Sequence, residues 1–244
     1  MFRHQGKSRT FKHNLQIATV LSFVAGIVNV TGFLAIKQLT TNVTGHFALL
    51  IFDFEDFRFL RGLTYLLYIL SFLFGSFASG FMIEKYKKNK RLNVFVLPTL
   101  VEVFILVAVT IFYNLTAISY PHVIACSLLF AMGLQNSFVT KISNAVVRTT
   151  HLTGLFTDLG IELSQLFFPE LHPHKHKTLA TIKLRVYIIL FFFLGGITAG
   201  FLYLGLSFKA NTLLLAALIL LGSLFYDDFR FQLIRARRKR KQAR

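Results

Sequence analysis

Leu15–Ile36 reads LQIATVLSFVAGIVNVTGFLAI, twenty-two residues without a formal charge. A helix needs roughly 20 mostly apolar residues to cross a hydrocarbon core about 30 Å thick, so this stretch alone predicts a membrane span. Five more of the same kind follow at Gly62–Ile83, Val94–Tyr113, Tyr120–Thr140, Val186–Leu206 and Ala210–Tyr226, and Glu102 is the one formally charged residue within all six. The last is short by itself and should extend at either end. Composition agrees: 55% of the residues are apolar and 15% charged, whereas soluble chains carry nearer a quarter charged. The first run is too long for a secretory leader and no small-residue cleavage site follows it, so it is expected to remain as a span. Cys126 is the single cysteine, which excludes an intramolecular disulfide framework.

Between the spans, the positive charges separate. For six crossings with the N-terminus inside, 23 of the 27 Lys and Arg fall in inner segments and 4 in outer ones. That is a strong positive-inside bias and predicts both termini in the cytoplasm. The net charge of +17 would suggest nucleic acid on a soluble chain. Here the basic run from Arg235 reads as a topology anchor on anionic lipid headgroups, and no nucleic-acid partner is expected.

The chain also resembles itself. Gly26-Ile-Val-Asn29 in the first span matches Gly133-Leu-Gln-Asn136 in the fourth, at an offset of 107. Thr40-Thr-Asn-Val-Thr-Gly45 matches Thr149-Thr-His-Leu-Thr-Gly154 at an offset of 109, and Gly75-Ser-Phe-Ala-Ser-Gly80 matches Gly195-Gly-Ile-Thr-Ala-Gly200 at 120. Order is kept, and the offset grows mostly in the loop holding Pro169–Lys177. Each half holds three crossings, an odd number, so the second half enters the bilayer from the opposite side. The fold expected is therefore all-α and polytopic, with six transmembrane helices forming two inverted-topology repeats. The chain reads as one membrane domain over 1–244, with repeat one at 14–113, repeat two at 120–226 and a basic cytoplasmic tail at 227–244.

Each Thr-Gly string precedes an apolar or amphipathic stretch too short to cross, Gly45–Phe54 and Gly154–Phe168. Such a segment either dips in and returns or lies along the interface. Threonine hydroxyls can satisfy backbone groups freed from helical bonding, while Gly permits a turn. If Gly45 and Gly154 begin short helices, free N–H groups from both sides would point toward the protein centre and favour an anionic or carboxylate-bearing solute. Alternatively, both strings are capped loops at headgroup level. Asn29, Gln135 and Asn136 lie within spans and should face the bundle interior, as solute contacts or as hydrogen-bonding glue between helices. Glu102 is an intramembrane acid and hence a candidate for coupling to protons or cations. Asp158 and Glu162 share one helical face, with Arg148 near in sequence, so local ion pairing is the plainer reading there. His172, His174 and His176 alternate in an insertion without acid or Cys support, which favours a solvated loop over a metal site. No Walker glycine string, GxSxG elbow, HExxH or paired-carboxylate constellation occurs, so neither an enzyme nor a cofactor is expected.

At AlaGlyIleValAsnValThrGlyPheLeu (25–34), ThrAsnValThrGlyHis (41–46), PheAlaMetGlyLeuGlnAsn (130–136) and ValArgThrThrHisLeuThrGlyLeuPheThrAspLeuGly (147–160), the sequence resembles the YoaK-like family of bacterial integral membrane proteins, a domain family of unknown function. The first motif carries Asn29 where that family often has an acid, and His46 where it usually has Asn. The resemblance implies a bacterial inner-membrane protein of about six spans and supplies no activity.

Together these readings favour a transporter or permease of a small polar solute, an anionic one included. The substrate-binding candidates are Asn29, Thr44, Gly45, Asn136, Thr153, Gly154 and Asp158, with Glu102 as a coupling acid. The alternative is a non-transporting membrane scaffold or sensor whose basic tail binds lipid or a partner.

Overall fold

A computed structural model describes residues 9–87, 94–116, 119–171 and 174–226. His172 of the alternating histidines and the whole basic tail 227–244 lie outside the described residues. Helix α1 spans Phe11–Ile36, α2 Thr44–Glu55, α3 Phe59–Tyr86, α4 Val96–Thr116, α5 Pro121–Ser143, α6 Leu152–Gln165 and α7 Lys175–Gly200. The last continues through a π-helical turn, Phe201–Gly205, and a final helix, α8, occupies Lys209–Tyr226. Among the described residues there is no strand. Six helices (α1, α3, α4, α5, α7 with its π turn, and α8) are long and apolar enough to cross a membrane.

α1 and α5 form the centre of the bundle, and α3 and α7 lie on its periphery. α7 packs along α1, and α3 packs along α5. α3 and α5 run in parallel: the Tyr68 hydroxyl meets His122 Nδ1 at 2.6 Å near their starts, and Lys141 Nζ reaches Glu84 Oε1 at 2.6 Å near their ends. Phe77, Phe81, Phe193, Ile197 and Phe201 stand exposed on the two peripheral helices, which suits contact with lipid chains. Polar residues on these faces return their hydrogen bonds to the helix. Ser71 donates to the Leu67 carbonyl at 2.8 Å and Thr198 to that of Leu194 at 2.8 Å, so neither leaves an unsatisfied hydroxyl against hydrocarbon.

Glycine fixes how closely the paired helices approach. A Cβ added at Gly26 would lie 2.1 Å from the Phe192 carbonyl oxygen, and one at Gly195 would lie 2.1 Å from that of Phe23. On the other pair, Gly133 faces the Phe72 oxygen at 2.2 Å and Gly75 the Phe130 oxygen at 2.0 Å. Backbone thus meets backbone at both crossings, as small residues permit in membrane bundles. The contacts correspond residue by residue: Gly26 and Gly133, and Phe23 and Phe130, are 107 apart, while Gly75 and Gly195, and Phe72 and Phe192, are 120 apart. The ends of α1 and α5 match too. Lys37 closes the first at φ 57° and Asn144 the second at φ 54°, again 107 residues apart.

Two expectations need correction. Lys175–Arg185, read from sequence as part of an inner loop, is the beginning of α7. A hydropathy reading stops where charge begins, but a helix nucleated in lipid extends cheaply, one bond per residue, into the headgroup zone, where basic side chains can remain solvated. Gly45 and Gly154 do not make the turns ascribed to them. Both lie within helices with φ outside the left-handed region, and the left-handed residues of these two returns are Lys37, Asn144 and Ala145, at the ends of the preceding helices.

Candidate functional site: a cavity between the two Thr-Gly segments

α1 ends at Ile36, and the chain returns over 37–43 to start α2 at Thr44. That return is tied to α1 by its threonines. Thr40 Oγ1 donates to the Val28 carbonyl at 3.1 Å, and Thr41 Oγ1 donates to Asn29 Oδ1 at 2.8 Å. The second half repeats the device: Thr150 Oγ1 donates to Asn136 Oδ1 at 2.8 Å, and Thr149 Oγ1 accepts from Gln135 Nε2 at 3.1 Å. Gln135 Nε2 also reaches the Leu21 carbonyl of α1 at 3.0 Å, linking the two central helices. Each asparagine therefore accepts from the second threonine of its pair, and each short helix begins next to its own long one.

His46 fastens the first return from behind. Its Nε2 lies 2.7 Å from the Leu39 carbonyl and so donates to it, and its ring packs edge-on to Tyr68 with centroids 5.1 Å apart. Burial pushes the His46 imidazole below its ordinary pKa, against the opposing pull of the Leu39 carbonyl. His151 begins the second short helix; burial and then the Arg148 charge lower its pKa as well.

Both returns open on one cavity of about 590 Å³. Asn29, Thr41, Thr44 and Gly45 line it from the first half, and Thr150, His151, Thr153 and Gly154 from the second. Phe72 of α3 and Phe192 of α7 complete the wall; their carbonyls are the ones that touch the crossing glycines. The first turns of α2 and α6 lie at this cavity. Amides in a first turn have no intrahelical acceptor and carry the positive end of the helix dipole. Gly154 has nothing within 4 Å of a built Cβ, so no packing neighbour accounts for a glycine there.

Five of the seven residues singled out from sequence, Asn29, Thr44, Gly45, Thr153 and Gly154, thus meet on one cavity. Asn136 does not line it: its Oδ1 is taken by Thr150 and its Nδ2 donates to the Met132 carbonyl at 2.8 Å. Asp158 faces elsewhere. Its Oδ2 accepts from Arg185 Nη1 at 2.6 Å, while Glu162 takes Nε and Nη2 of the same guanidinium at 2.8 and 3.0 Å. Ion pairing on this face was expected, and its cation is Arg185 of α7, not Arg148. Glu102 is fully buried in α4, with neither carboxyl oxygen hydrogen-bonded among the described residues, and it too lies outside the cavity. Sequence reading missed Phe72 and Phe192; each is one more Phe among 29, and only the repeat offset of 120 pairs them.

Six helices of lipid-spanning length, with two short helices that start at a shared cavity of mixed polar and apolar lining, define a polytopic α-helical membrane protein. The chain belongs to the family described as Protein of unknown function (DUF1275), whose model matches residues 17–226. It is also similar to the UPF0700 transmembrane protein YoaK of Bacillus subtilis (strain 168), with 25% identity over 183 residues that cover 74% of this chain and 80% of that protein. No solved structure matches the chain.

Proposed function

We propose that this protein carries a small polar solute bearing an anionic group, most simply a carboxylate, across the bacterial cytoplasmic membrane. In this reading its two halves are inverted repeats about a pseudo-two-fold axis in the membrane plane, with both termini in the cytoplasm. One observation carries it: the Thr-Gly segments of both halves converge on the same 590 Å³ cavity. Secondary carriers built from inverted repeats hold their solutes where interrupted helices from each half meet. The matching glycine crossings and matching Thr–Asn bonds support a common ancestor for the halves. The distribution of Lys and Arg supports the sidedness.

Thr44, Gly45, Thr153 and Gly154 present the first-turn amides to the anionic group, and Asn29 adds a side-chain amide beside them. Asn136 positions Thr150 and does not touch solute, and Asp158 belongs to the fastening of α6 onto α7. Glu102 is the coupling acid in this scheme: buried in α4 with no hydrogen-bond partner among the described residues, it would exchange a proton or cation only when a conformational change brought water to it.

The test is uptake into proteoliposomes against a panel of radiolabelled carboxylates, with Gly154→Ala and Thr153→Ala as the variants. Gly154→Ala has room for its methyl, so normal yield and thermal stability are expected with reduced uptake. Full uptake in both variants would remove the cavity from the mechanism. Deleting 235–244 separates carrier from scaffold, because a carrier keeps its flux and a tail-driven adaptor loses its phenotype.

A further inference from the structure

The Arg185 fastening has a counterpart that lacks its cation. At the offset of 109 that relates the short helices, Glu162 of α6 corresponds to Asp53 of α2; at the offset of 120 that relates the helices after them, Arg185 corresponds to Tyr65. In the second half the Glu162 carboxylate is held bidentately by Arg185. In the first half Asp53 is only 5% exposed, yet among the described residues its carboxylate accepts no hydrogen bond and joins no ion pair. Where Arg185 would stand is a second cavity of about 460 Å³, lined by Asp53, Arg61, Tyr65, Tyr68 and His122 among others. It lies at the end of the bundle where α1 finishes and α3 starts, separate from the central cavity.

A carboxylate buried this far needs a compensating cation or donor. The nearer arginine in sequence, Arg58, is engaged at 2.6 Å by Asp56. Arg61 lines the cavity and makes no ion pair among the described residues. Tyr68 and His122 satisfy each other, leaving their rings as wall. The cavity therefore presents one uncompensated negative side chain, one uncompensated positive side chain, and aromatic surface between.

We propose that this cavity is a binding site for a zwitterionic solute of amino-acid type, its ammonium at Asp53 and its carboxylate at Arg61. Tyr65 and Tyr68 take the apolar side chain and present ring faces to the ammonium. The volume admits any single amino acid, and the site stands whether or not the central cavity carries a solute.

Isothermal titration of the full chain in lipid nanodiscs tests this, with glycine, L-leucine and L-phenylalanine as ligands and isoamylamine and isocaproate as the two singly charged halves of leucine. L-Leucine or L-phenylalanine should bind, and each half-ligand should bind roughly tenfold or more weakly, since each lacks one charge-assisted contact. Asp53→Asn should remove binding of leucine and of the amine, while Arg61→Gln should reduce leucine to the level of the amine. Arg61 is exposed, so its variant stays informative even where Asp53→Asn lowers the yield. Gly222→Ala, which lines neither cavity and has room for its methyl, should leave the titration unchanged. Leucine binding that depends on Asp53 and Arg61 while proteoliposomes take up no carboxylate separates failure of the carrier reading from failure here. Absence of binding by all three amino acids, leucine binding indifferent to Arg61→Gln, or an amine binding as tightly as leucine would each overturn the proposal.

Discussion

Replacing Gly26 by alanine should unseat the α1–α7 crossing, and the size of the effect follows from the geometry. The added Cβ would lie 2.1 Å from the Phe192 oxygen and 3.0 Å from the Gly196 nitrogen, both backbone atoms with no rotamer to retreat into. Ordinary contact begins near 3.4 Å, so the helices must part by more than 1 Å. Overpacking of this kind costs typically about 1–3 kcal/mol, offset by about 1 kcal/mol of helix propensity gained over glycine. A net loss of up to about 2 kcal/mol is expected, and the same for Gly133→Ala, whose Cβ would meet the Phe72 oxygen at 2.2 Å. Gly160→Ala and Gly222→Ala, with nothing within 4 Å, should be neutral or stabilising by up to about 1 kcal/mol on propensity alone. Steric-trapping or SDS-unfolding equilibria in mixed micelles measure these differences directly. Phe192 and Phe72 also line the central cavity, so the two crossing variants should reduce uptake as well as stability. If Gly26→Ala and Gly133→Ala proved as stable as Gly160→Ala, the close crossings would not exist, and the placement of both phenylalanines would fail with them.

Three further outcomes follow from named contacts. Thr41→Val and Thr150→Val each remove one hydroxyl donor to an asparagine and should cost roughly 0.6–1 kcal/mol apiece, in the range found for side-chain hydrogen bonds within membranes; similar losses in the two variants are expected in the same unfolding assay. Glu162→Gln should destabilise the α6–α7 contact more than Asp158→Asn, because Glu162 is 14% exposed and takes two of the guanidinium's bonds while Asp158 is 51% exposed and takes one, and exchange of the α6 amides with deuterium reports the difference. Lowering the pH should lower thermal stability. Burial depresses the pKa of His46 and His151, so the unfolded chain takes up protons that the folded one refuses. Stability is then full above about pH 6.5, the ordinary histidine value, and is lost as pH falls below it. His46→Gln, which keeps a donor for the Leu39 carbonyl, should flatten that slope in a thermal melt.

The helices and their order were legible because lipid imposes a length and an apolarity that sequence cannot conceal. The close crossings were legible because backbone-to-backbone contact tolerates glycine alone, so Gly26, Gly75, Gly133 and Gly195 mark matching contacts in the two halves of the chain. The first turns at Thr44 and Thr153 could be anticipated, since a run too short to cross must begin and end on one side. Other features were not readable from composition or period. The cavity-lining phenylalanines resemble every lipid-facing one. Arg185 looked like loop charge until α7 was seen to begin at Lys175, and Gly45 looked like a turn residue until the turns appeared at Lys37 and Asn144.

The departures from symmetry carry the most functional content. Two halves that share glycine crossings and Thr–Asn bonds to within a tenth of an ångström have little reason to differ elsewhere unless the difference is used. They differ at Glu162 and Asp53, where one carboxylate is clasped by an arginine of its own chain and the other faces open space. If both ends only needed closing, an arginine at position 65 would close the second as Arg185 closes the first. Tyr65→Arg tests this. It should place a guanidinium on Asp53 and fill the 460 Å³ cavity, raising stability by about 1.5–3 kcal/mol, the scale of a hydrogen bond to a charged group. It should also abolish any ligand titration at that end. A variant that gained no stability, or that gained it and still bound amino acids as before, would mean that the open carboxylate at Asp53 is neither a counterpart of Glu162 nor a binding group.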